Sequence, residues 1–317
     1  MTTLNDPTIR AAKNEASYAI LSHPVPPLPP EPPRKGFPYG RVARHIVLSL
    51  LGVLMLLPFL WMILASFKTQ AGVERTNPFP RGVWHTENYP VVLGLMRNPN
   101  TNKFLPIHFD RWYFNSIFVA GWVTLLTCAT SAMAAFAFAR LRWKGRDRVF
   151  LLYLATMMVP SIVTMIPTYD LMVKLHMVNS YAGLIIPAAF STFGTFLMRQ
   201  FMLGIPTSLD EAAYMDGASR SRLFWDIILP LSRPGLITLA VFTFMGNFGS
   251  FLWPLILIKS QSLKTLPVGM LFFDSVYDRQ TNLMMAATVM NIVPLILVFV
   301  VSQKYLVKGI QLGAVKG

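Results

Sequence analysis

The sequence has 317 residues, of which 54% are hydrophobic and only 13% are charged, and its formal net charge is +14. A soluble domain carries about 25% charged residues, so this composition excludes an ordinary soluble protein and indicates that lipid surrounds much of the surface. The positive charge does not indicate a nucleic-acid partner, because Lys and Arg cluster in short segments beside apolar runs, as they do in membrane proteins.

Residues 1–44 form a polar tail that becomes rich in proline, with VPPLPPEPP at positions 25–33. Such a run favours extended polyproline II structure and cannot build a hydrophobic core. We therefore expect residues 1–44 to be a cytoplasmic tail without a fold of its own.

Six apolar runs follow, at 46–66, 115–139, 149–169, 181–198, 236–258 and 283–303. Each is near or above the length of about 18–20 residues that a helix needs to cross a bilayer. Hydrocarbon cannot hydrogen-bond to the backbone, so each run is predicted to be a helix. The sequence thus predicts an all-α membrane protein with a six-span domain at 45–305 and a cytoplasmic tail at 306–317.

The distribution of basic residues predicts the orientation. The loop after the second run is strongly basic, whereas the short loop after the third contains only Lys174. The basic residues of the first of these loops are Arg140, Arg142, Lys144, Arg146 and Arg148. We expect a multi-pass protein of the bacterial plasma (inner) membrane, with both termini and residues 205–235 in the cytoplasm and the long loop 67–114 outside.

Residues 205–235 interrupt the apolar pattern with charges of both signs. Ser208 and Glu211 have the spacing of a capping box at a helix start, and Gly217 is a natural left-handed helix end. A second helix is predicted from about Ser219 to Ile228, stopped by prolines 230 and 234. Its apolar face consists of Leu223, Phe224, Ile227 and Ile228. The pattern indicates two short helices joined at a glycine hinge, either an ordinary helical loop or a contact for a partner.

A resemblance favours the partner. The run EAAYMDGASRSRLFWDIILPLSRP at 211–234 is similar to the EAA motif of membrane permease subunits of ABC importers. The runs AAFAFARLRWKGR at 134–146, MMVPSIVTMIPTY at 157–169, FLWPLIL at 251–257 and GIQLGAVKG at 309–317 resemble the carbohydrate branch of that family, of the maltose, trehalose and glycerol-phosphate type. The resemblance implies an EAA-type coupling helix pair in the cytoplasm that sits in a groove on an ATP-binding subunit. The implied contact positions are Glu211, Ala212, Ala213, Asp216, Gly217, Ala218 and Phe224.

The resemblance also implies the partners, which are a second permease subunit, two copies of an ATP-binding subunit and an extracytoplasmic solute-binding protein. The sequence has no H-E-x-x-H, G-x-S-x-G or Walker A motif,. We therefore expect that the chain is not an enzyme and binds no cofactor, and that ATP and Mg are held by partner subunits.

Candidate solute contacts lie in the fifth and sixth runs. Asn247 and Asn291 are amides in hydrocarbon, where they need a partner, and Phe248, Phe251 and Trp253 could stack on sugar rings. The alternatives are hydrogen bonds between helices and ordinary aromatic packing. The family often has a Trp-Asn-Asp-like element where this chain has Phe248-Gly249-Ser250, so the cavity wall is less polar and the solute does not follow by analogy.

Three other functions stay open at this point. One is an ABC permease for a polyamine, a peptide or phosphate. Another is a secondary transporter or channel that works alone, for which buried charges in the spans are expected, and none lies in the six runs. The third is a membrane-embedded enzyme, which needs polar catalytic pairs within the spans.

Overall fold

The structure, a computed structural model, describes residues 39–74, 84–99, 101–274 and 280–314. The proline-rich run at 25–33 and the last three residues of the tail lie outside these ranges. Contacts divide the chain into two compact units, Met1–Met55 and Leu56–Gly317. Every regular element in the described ranges is a helix, which confirms the all-α prediction.

Fourteen helices are described here in chain order, with residues 220–231 taken as one helix whose middle, Leu223–Ile228, has π geometry. They are α1 Tyr39–Ser66, α2 Gln70–Val73, α3 Asn88–Val92, α4 Phe109–Ala139, α5 Arg146–Ala155, α6 Ser161–Lys174, α7 Tyr181–Ile185, α8 Thr192–Leu203, α9 Ser208–Met215, α10 Arg220–Leu231, α11 Arg233–Phe248, α12 Leu252–Leu257, α13 Leu266–Gly269 and α14 Thr281–Ala314. Short 3-10 turns lie at Thr156–Met158, Gln261–Leu263 and Met270–Phe273.

Three helical stretches are long and apolar enough to cross a membrane, namely Val42–Ser66, Phe109–Ala139 and Thr281–Lys304. Two bent pairs also qualify when each pair counts as one span: Arg146–Met158 with α6, bent by 96°, and α10 with α11, bent by 74°. By length and composition, the described chain therefore has three spans, or up to five. The predicted count of six is not confirmed.

Prolines and glycines explain why three predicted spans are interrupted. Val159 is extended, because a proline at 160 disfavours helical geometry in the residue before it,. The run 181–198 is divided into α7 and α8 by a turn around Pro187. The run 236–258 breaks after Gly249, between α11 and α12.

The core is built around α4, which packs most extensively against α8 and α11. Small buried residues on α4 allow neighbouring helices to approach closely. They are Ala120, Ser131, Ala132 and Ala135. In the first turn of α8, Gly194 faces the Ser131 hydroxyl so closely that a Cβ would lie 2.5 Å from it.

Polar side chains at the start of α4 fix the loop before α13. Asn115 Nδ2 donates to the carbonyls of Ser262 and Lys264 at 2.9 and 2.8 Å. Its Oδ1 accepts from the Tyr181 hydroxyl at 2.6 Å, and Ser116 Oγ accepts from the Leu266 amide at 2.7 Å. These bonds satisfy backbone groups that a bilayer would leave unpaired.

The last helix is longer than the sequence predicts. The helix α14 continues to Ala314, so most of the segment 306–317, which was predicted to be a tail, is a continuation of the last helix. Pro294 lies inside α14 without ending it.

Gly269 provides a test of the packing. A Cβ there would lie 2.2 Å from Trp112 Cε3, and Trp112 is buried with its Nε1 donating to the Gln261 carbonyl at 3.0 Å. Gly269→Ala should destabilise the chain by about 1–3 kcal/mol through overpacking, measured as thermal unfolding in detergent. Gly121→Ala is the matched control, because nothing lies within 4 Å of its Cβ position. Equal unfolding temperatures for the two variants would contradict this packing.

Candidate functional site

The α9–α10 segment, residues 208–231, begins differently from the predicted capping box. Thr207 is the N-cap residue, it has helical geometry and its side chain makes no capping bond. The Glu211 amide donates to the Thr207 carbonyl at 3.2 Å. Ser208 is therefore inside the first turn, and the predicted bond between its hydroxyl and Glu211 is absent from the described hydrogen bonds.

The hinge at Gly217 agrees with its prediction. Gly217 has a φ of 75°, its amide donates to the Tyr214 carbonyl at 3.0 Å, and the Ala218 amide donates to the Ala213 carbonyl at 2.9 Å. This is the Schellman arrangement, which requires a left-handed residue and favours glycine. Ser219 then caps α10 by accepting from the Arg222 amide at 3.2 Å.

One face of the segment packs against the ends of the membrane helices. Phe224 lies on Phe136 of α4 with ring centroids 5.1 Å apart. The buried residues of this cluster, which we call the basal cluster, are Ala132, Ala135, Phe136, Met198, Met202, Ala213, Leu223, Phe224, Ile228 and Leu239. The helix α10 continues through Pro230 to Leu231, because the π geometry before it shifts the backbone bonds. The sequence predicted that this helix ends near Ile228, before Pro230, so its end was predicted too early.

The seven predicted contact positions divide into two groups. Glu211, Ala212, Asp216 and Gly217 are exposed. Ala213 and Phe224 are buried in the basal cluster and Ala218 is partly buried against it. The first group can meet a partner, whereas the second holds the segment in place.

The structure adds exposed apolar residues that the sequence analysis did not select. Met215 is 87% exposed and Trp225 is 57% exposed. Met215 precedes Asp216, and Trp225 precedes Asp226. Trp225 follows the buried Phe224 on one helix, where successive side chains diverge, so helical spacing could have indicated its exposure. Met and Trp are enriched in the cores of protein interfaces.

Arg140, at the end of α4, makes a buried ion pair with Asp210 of α9. The Nη1–Oδ2 distance is 3.1 Å, and the side chains are 3% and 13% exposed. Arg140 Nη2 also donates to the carbonyls of Met202 and Ile205 at 2.6 and 2.8 Å. The sequence analysis assigned Arg140 only to the orientation pattern, and no spacing rule connects residues that are 70 positions apart.

A second arginine joins α8 to α5. Arg199 lies over the Phe150 ring at 4.1 Å and contacts Asp147 at 3.5 Å. Arg146 Nε and Nη2 donate to Asp147 Oδ1 and Oδ2 at 3.0 and 3.3 Å. The ionised carboxylate at the start of α5 is therefore kept between two guanidinium groups.

A cavity of about 500 Å³ lies between α4, α6, α7 and the break between α11 and α12. We call it the interhelical cavity. Its lining combines hydroxyl, amide and aromatic groups, and none of the described residues that line it is charged. The lining residues are Val119, Ser161, Ile162, Thr164, Met165, Thr168, Leu184, Pro187, Ala188, Asn247, Ser250, Phe251, Leu252, Trp253, Pro254 and Thr265.

Three of the five predicted solute-contact residues line this cavity. Asn247 Nδ2 donates to the Thr243 carbonyl of its own helix at 2.8 Å, and Trp253 Nε1 donates to the Gly183 carbonyl at 3.1 Å. Phe251 lies exposed at the break. The sequence analysis missed Thr265, whose buried Oγ1 has no hydrogen-bond partner among the described residues.

Phe248 and Asn291 are not in the lining. Phe248 is buried in another core cluster, stacked on Phe244 at 5.7 Å and edge-on to Tyr113 at 6.4 Å. It faces away from the cavity because it lies one residue beyond Asn247 on a helix, where successive side chains diverge. Asn291 of α14 has a buried Oδ1 without a partner among the described residues. Within the described part of the chain, no group of three or more His, Cys, Asp or Glu could hold a metal ion.

The basal cluster predicts the effect of removing its aromatic anchor. Phe224→Ala should destabilise the chain by about 3–5 kcal/mol, since a buried ring is lost and a cavity is left. Thermal unfolding in detergent measures the change, and Trp225→Ala is the control, because that side chain is 57% exposed. The packing would be contradicted if Trp225→Ala changed the free energy of unfolding by more than about 0.5 kcal/mol, or if Phe224→Ala left it unchanged.

Comparisons with known proteins agree with these features. The chain is 32% identical over 284 residues to the arabinooligosaccharides transport system permease protein AraQ of Bacillus subtilis, covering 89% of this chain and 98% of that protein. It is 34% identical over 280 residues to the trehalose/maltose transport system permease protein MalG of Thermococcus litoralis, covering 87% and 97%. Both relatives are transport proteins rather than enzymes.

A solved structure shares the fold. It is the crystal structure of a bacterial ABC transporter involved in the import of the acidic polysaccharide alginate, with a TM-score of 0.71, 23% identity, and coverage of 86% of this chain and 99% of that chain. The family model described as binding-protein-dependent transport system inner membrane component matches residues 129–312. This chain therefore belongs to that family of multi-pass inner membrane transport components.

Proposed function

We propose that this chain is a permease subunit of an ATP-driven importer for a carbohydrate, and that separate ATP-binding subunits act on its α9–α10 segment. The observation that carries the proposal is the division of this segment into a buried face and an exposed face. The buried face holds the ends of α4 and α8, whereas Glu211, Asp216 and Met215 face outward. Exposed carboxylates next to apolar side chains can form strong charge-assisted bonds with a basic partner.

The proposed complex contains a second permease subunit, two copies of an ATP-binding subunit and an extracytoplasmic solute-binding protein. In this arrangement ATP and Mg are held by the ATP-binding subunits, and this chain binds no cofactor. Both termini, the α9–α10 segment and the basic loop before α5 lie in the cytoplasm, as the positive charge of that loop favours.

Movement can pass from the segment to the cavity along the chain itself. Ser232 alone separates α10 from α11, and α11 ends next to Asn247 and the interhelical cavity. Closure of the ATP-binding subunits would turn α10 and, because the basal cluster is close-packed, would carry α4, α8 and α11 with it. The cavity wall then changes shape as α11 moves.

The lining of the cavity supports a neutral, hydroxyl-rich solute. Its volume of about 500 Å³ is within the range of about 300–1,000 Å³ for ligand sites. The Thr265 hydroxyl has no hydrogen-bond partner among the described residues, and a solute hydroxyl could supply one,. A polyamine or phosphate would need a paired charge, and the lining offers none. The names of the relatives, which concern oligosaccharides and disaccharides, agree with a sugar.

Asn247→Leu tests whether the cavity is on the solute path. In the reconstituted complex, the variant should lower solute transport by about 2- to 10-fold, because one hydrogen bond between neutral groups contributes about 0.5–1.5 kcal/mol. Uptake of labelled sugar at saturating binding protein is the measurement. Asn291→Leu makes the same change outside the cavity and should leave uptake near the wild-type value. Equal effects at the two positions would contradict the assignment.

Gly217→Trp tests the role of the exposed surface. Nothing lies within 4 Å of a Cβ at Gly217, so in the isolated chain the substitution causes only backbone strain. In the complex it should abolish copurification of the ATP-binding subunits or their solute-stimulated ATP hydrolysis. Gly145→Trp is the matched control, since Gly145 also has a positive φ and open surroundings. Coupled transport by the Gly217 variant at the control's rate would overturn the proposal.

A further inference from the structure

The helix α9 has few apolar contacts that hold it to the rest of the chain. Only Ala213 is buried among its eight residues, whereas α10 buries Leu223, Phe224 and Ile228. An alanine methyl contributes little burial. The position of α9 therefore depends largely on its other link to the body, which is the bond from Arg140 to Asp210.

Arg140 connects three elements at one point. Arg140 is the C-cap residue of α4. Its guanidinium group donates to Asp210 in the first turn of α9 and to the Met202 and Ile205 carbonyls at the end of α8. Carbonyls at a helix end carry negative partial charge, which favours a cation there. The planar guanidinium group can serve several acceptors in fixed directions, which a lysine cannot do.

Each member of the ion pair has one polar atom that makes no hydrogen bond within the described residues. Arg140 Nε and Asp210 Oδ1 are both buried and have no hydrogen-bond partner within the described residues. A buried unpaired group is unusual and needs an explanation. Here one donor and one acceptor of the same ion pair remain available, so the carboxylate can exchange one contact for another without leaving the guanidinium group.

We propose that Arg140 and Asp210 are positioning residues that transmit the movement of α9 to the ends of α4 and α8 during transport. The inference rests on the proposed function, because it requires ATP-binding subunits that push on the α9–α10 segment. The pair keeps α9 attached while its angle changes, and the unused Nε and Oδ1 form the bond of the second arrangement. Without the pair, the movement of α9 reaches α4 and α8 only through the packing of the basal cluster, and transmission is weakened.

The segment contains a matched control. Arg222 and Asp226 form a second ion pair at 3.5 Å, but their side chains are 69% and 63% exposed. Exposed pairs contribute little, because water screens them. Asp226→Asn removes the same charge from the same segment without opening a buried contact.

The test has two measurements on the full chain. The first is hydrogen–deuterium exchange of the amides of residues 208–215 in the purified chain. Asp210→Asn should raise exchange there because the carboxylate that accepts from Arg140 is lost, while Asp226→Asn should not. Unchanged exchange in Asp210→Asn would overturn the proposal whatever the chain transports.

The second measurement is solute transported per ATP hydrolysed, in the complex reconstituted with its binding protein. Asp210→Asn should retain ATP-binding subunits and ATP hydrolysis but lower this ratio roughly tenfold, in the range typical of coupling between sites. Asp210→Glu, which restores the charge, should recover most of the ratio.

Asp210→Asn could raise the amide exchange of residues 208–215 and yet leave the ratio of solute transported to ATP hydrolysed at the wild-type value. If the wild-type complex is coupled, this result would show that the pair has only a structural role, and it would overturn the proposal. If the wild-type complex hydrolyses no ATP in response to solute, the proposed function itself fails and transmission through α9 fails with it. The wild-type control separates these two results.

Discussion

The packing of Phe224 on Phe136, where α10 meets the end of α4, is the contact that makes the α9–α10 segment part of the membrane domain. Close-packed interiors shift as units and do not compress. A force on the exposed face is therefore passed to the two methionines of α8 and to Leu239 of α11, which lie in the same cluster. The ion pair of Arg140 with Asp210 also fixes the orientation of α9 relative to the end of α4, because a guanidinium group holds its acceptors at fixed angles,.

The breaks in the helices have a common location. The break before Ser161, the turn around Pro187 and the break at Ser250 all contribute to the interhelical cavity. A break frees backbone groups that hydrocarbon cannot satisfy, so it is tolerated where it is buried in protein or lines a wet space. The interruptions that reduce the number of continuous spans are thus the features that build the candidate solute path.

Sequence reasoning was mostly correct for features that depend on the local chemistry of one residue. It failed where contacts between residues far apart in the sequence determine the position of a side chain. The left-handed Gly217 and the buried face of α10 follow from backbone sterics and helical spacing. The capping bond at Ser208 is a local exception: Thr207 is the N-cap residue, and the Pro206 and Thr207 carbonyls accept the first bonds. Phe248 shows the effect of distant residues, because it was assigned to the solute path although its neighbours in space, Tyr113 and Phe244, place it in the core.

Disulfide crosslinking tests most directly whether the α9–α10 segment meets an ATP-binding subunit. In a chain with Cys128→Ala, a cysteine at the 87% exposed Met215 should crosslink to a cysteine series on the ATP-binding subunit in membranes. A cysteine at the exposed Leu175, at the predicted outer end of α6, should not. No crosslink from Met215 in an intact complex, or labelling of Met215 only from outside the cell, would contradict the coupling role.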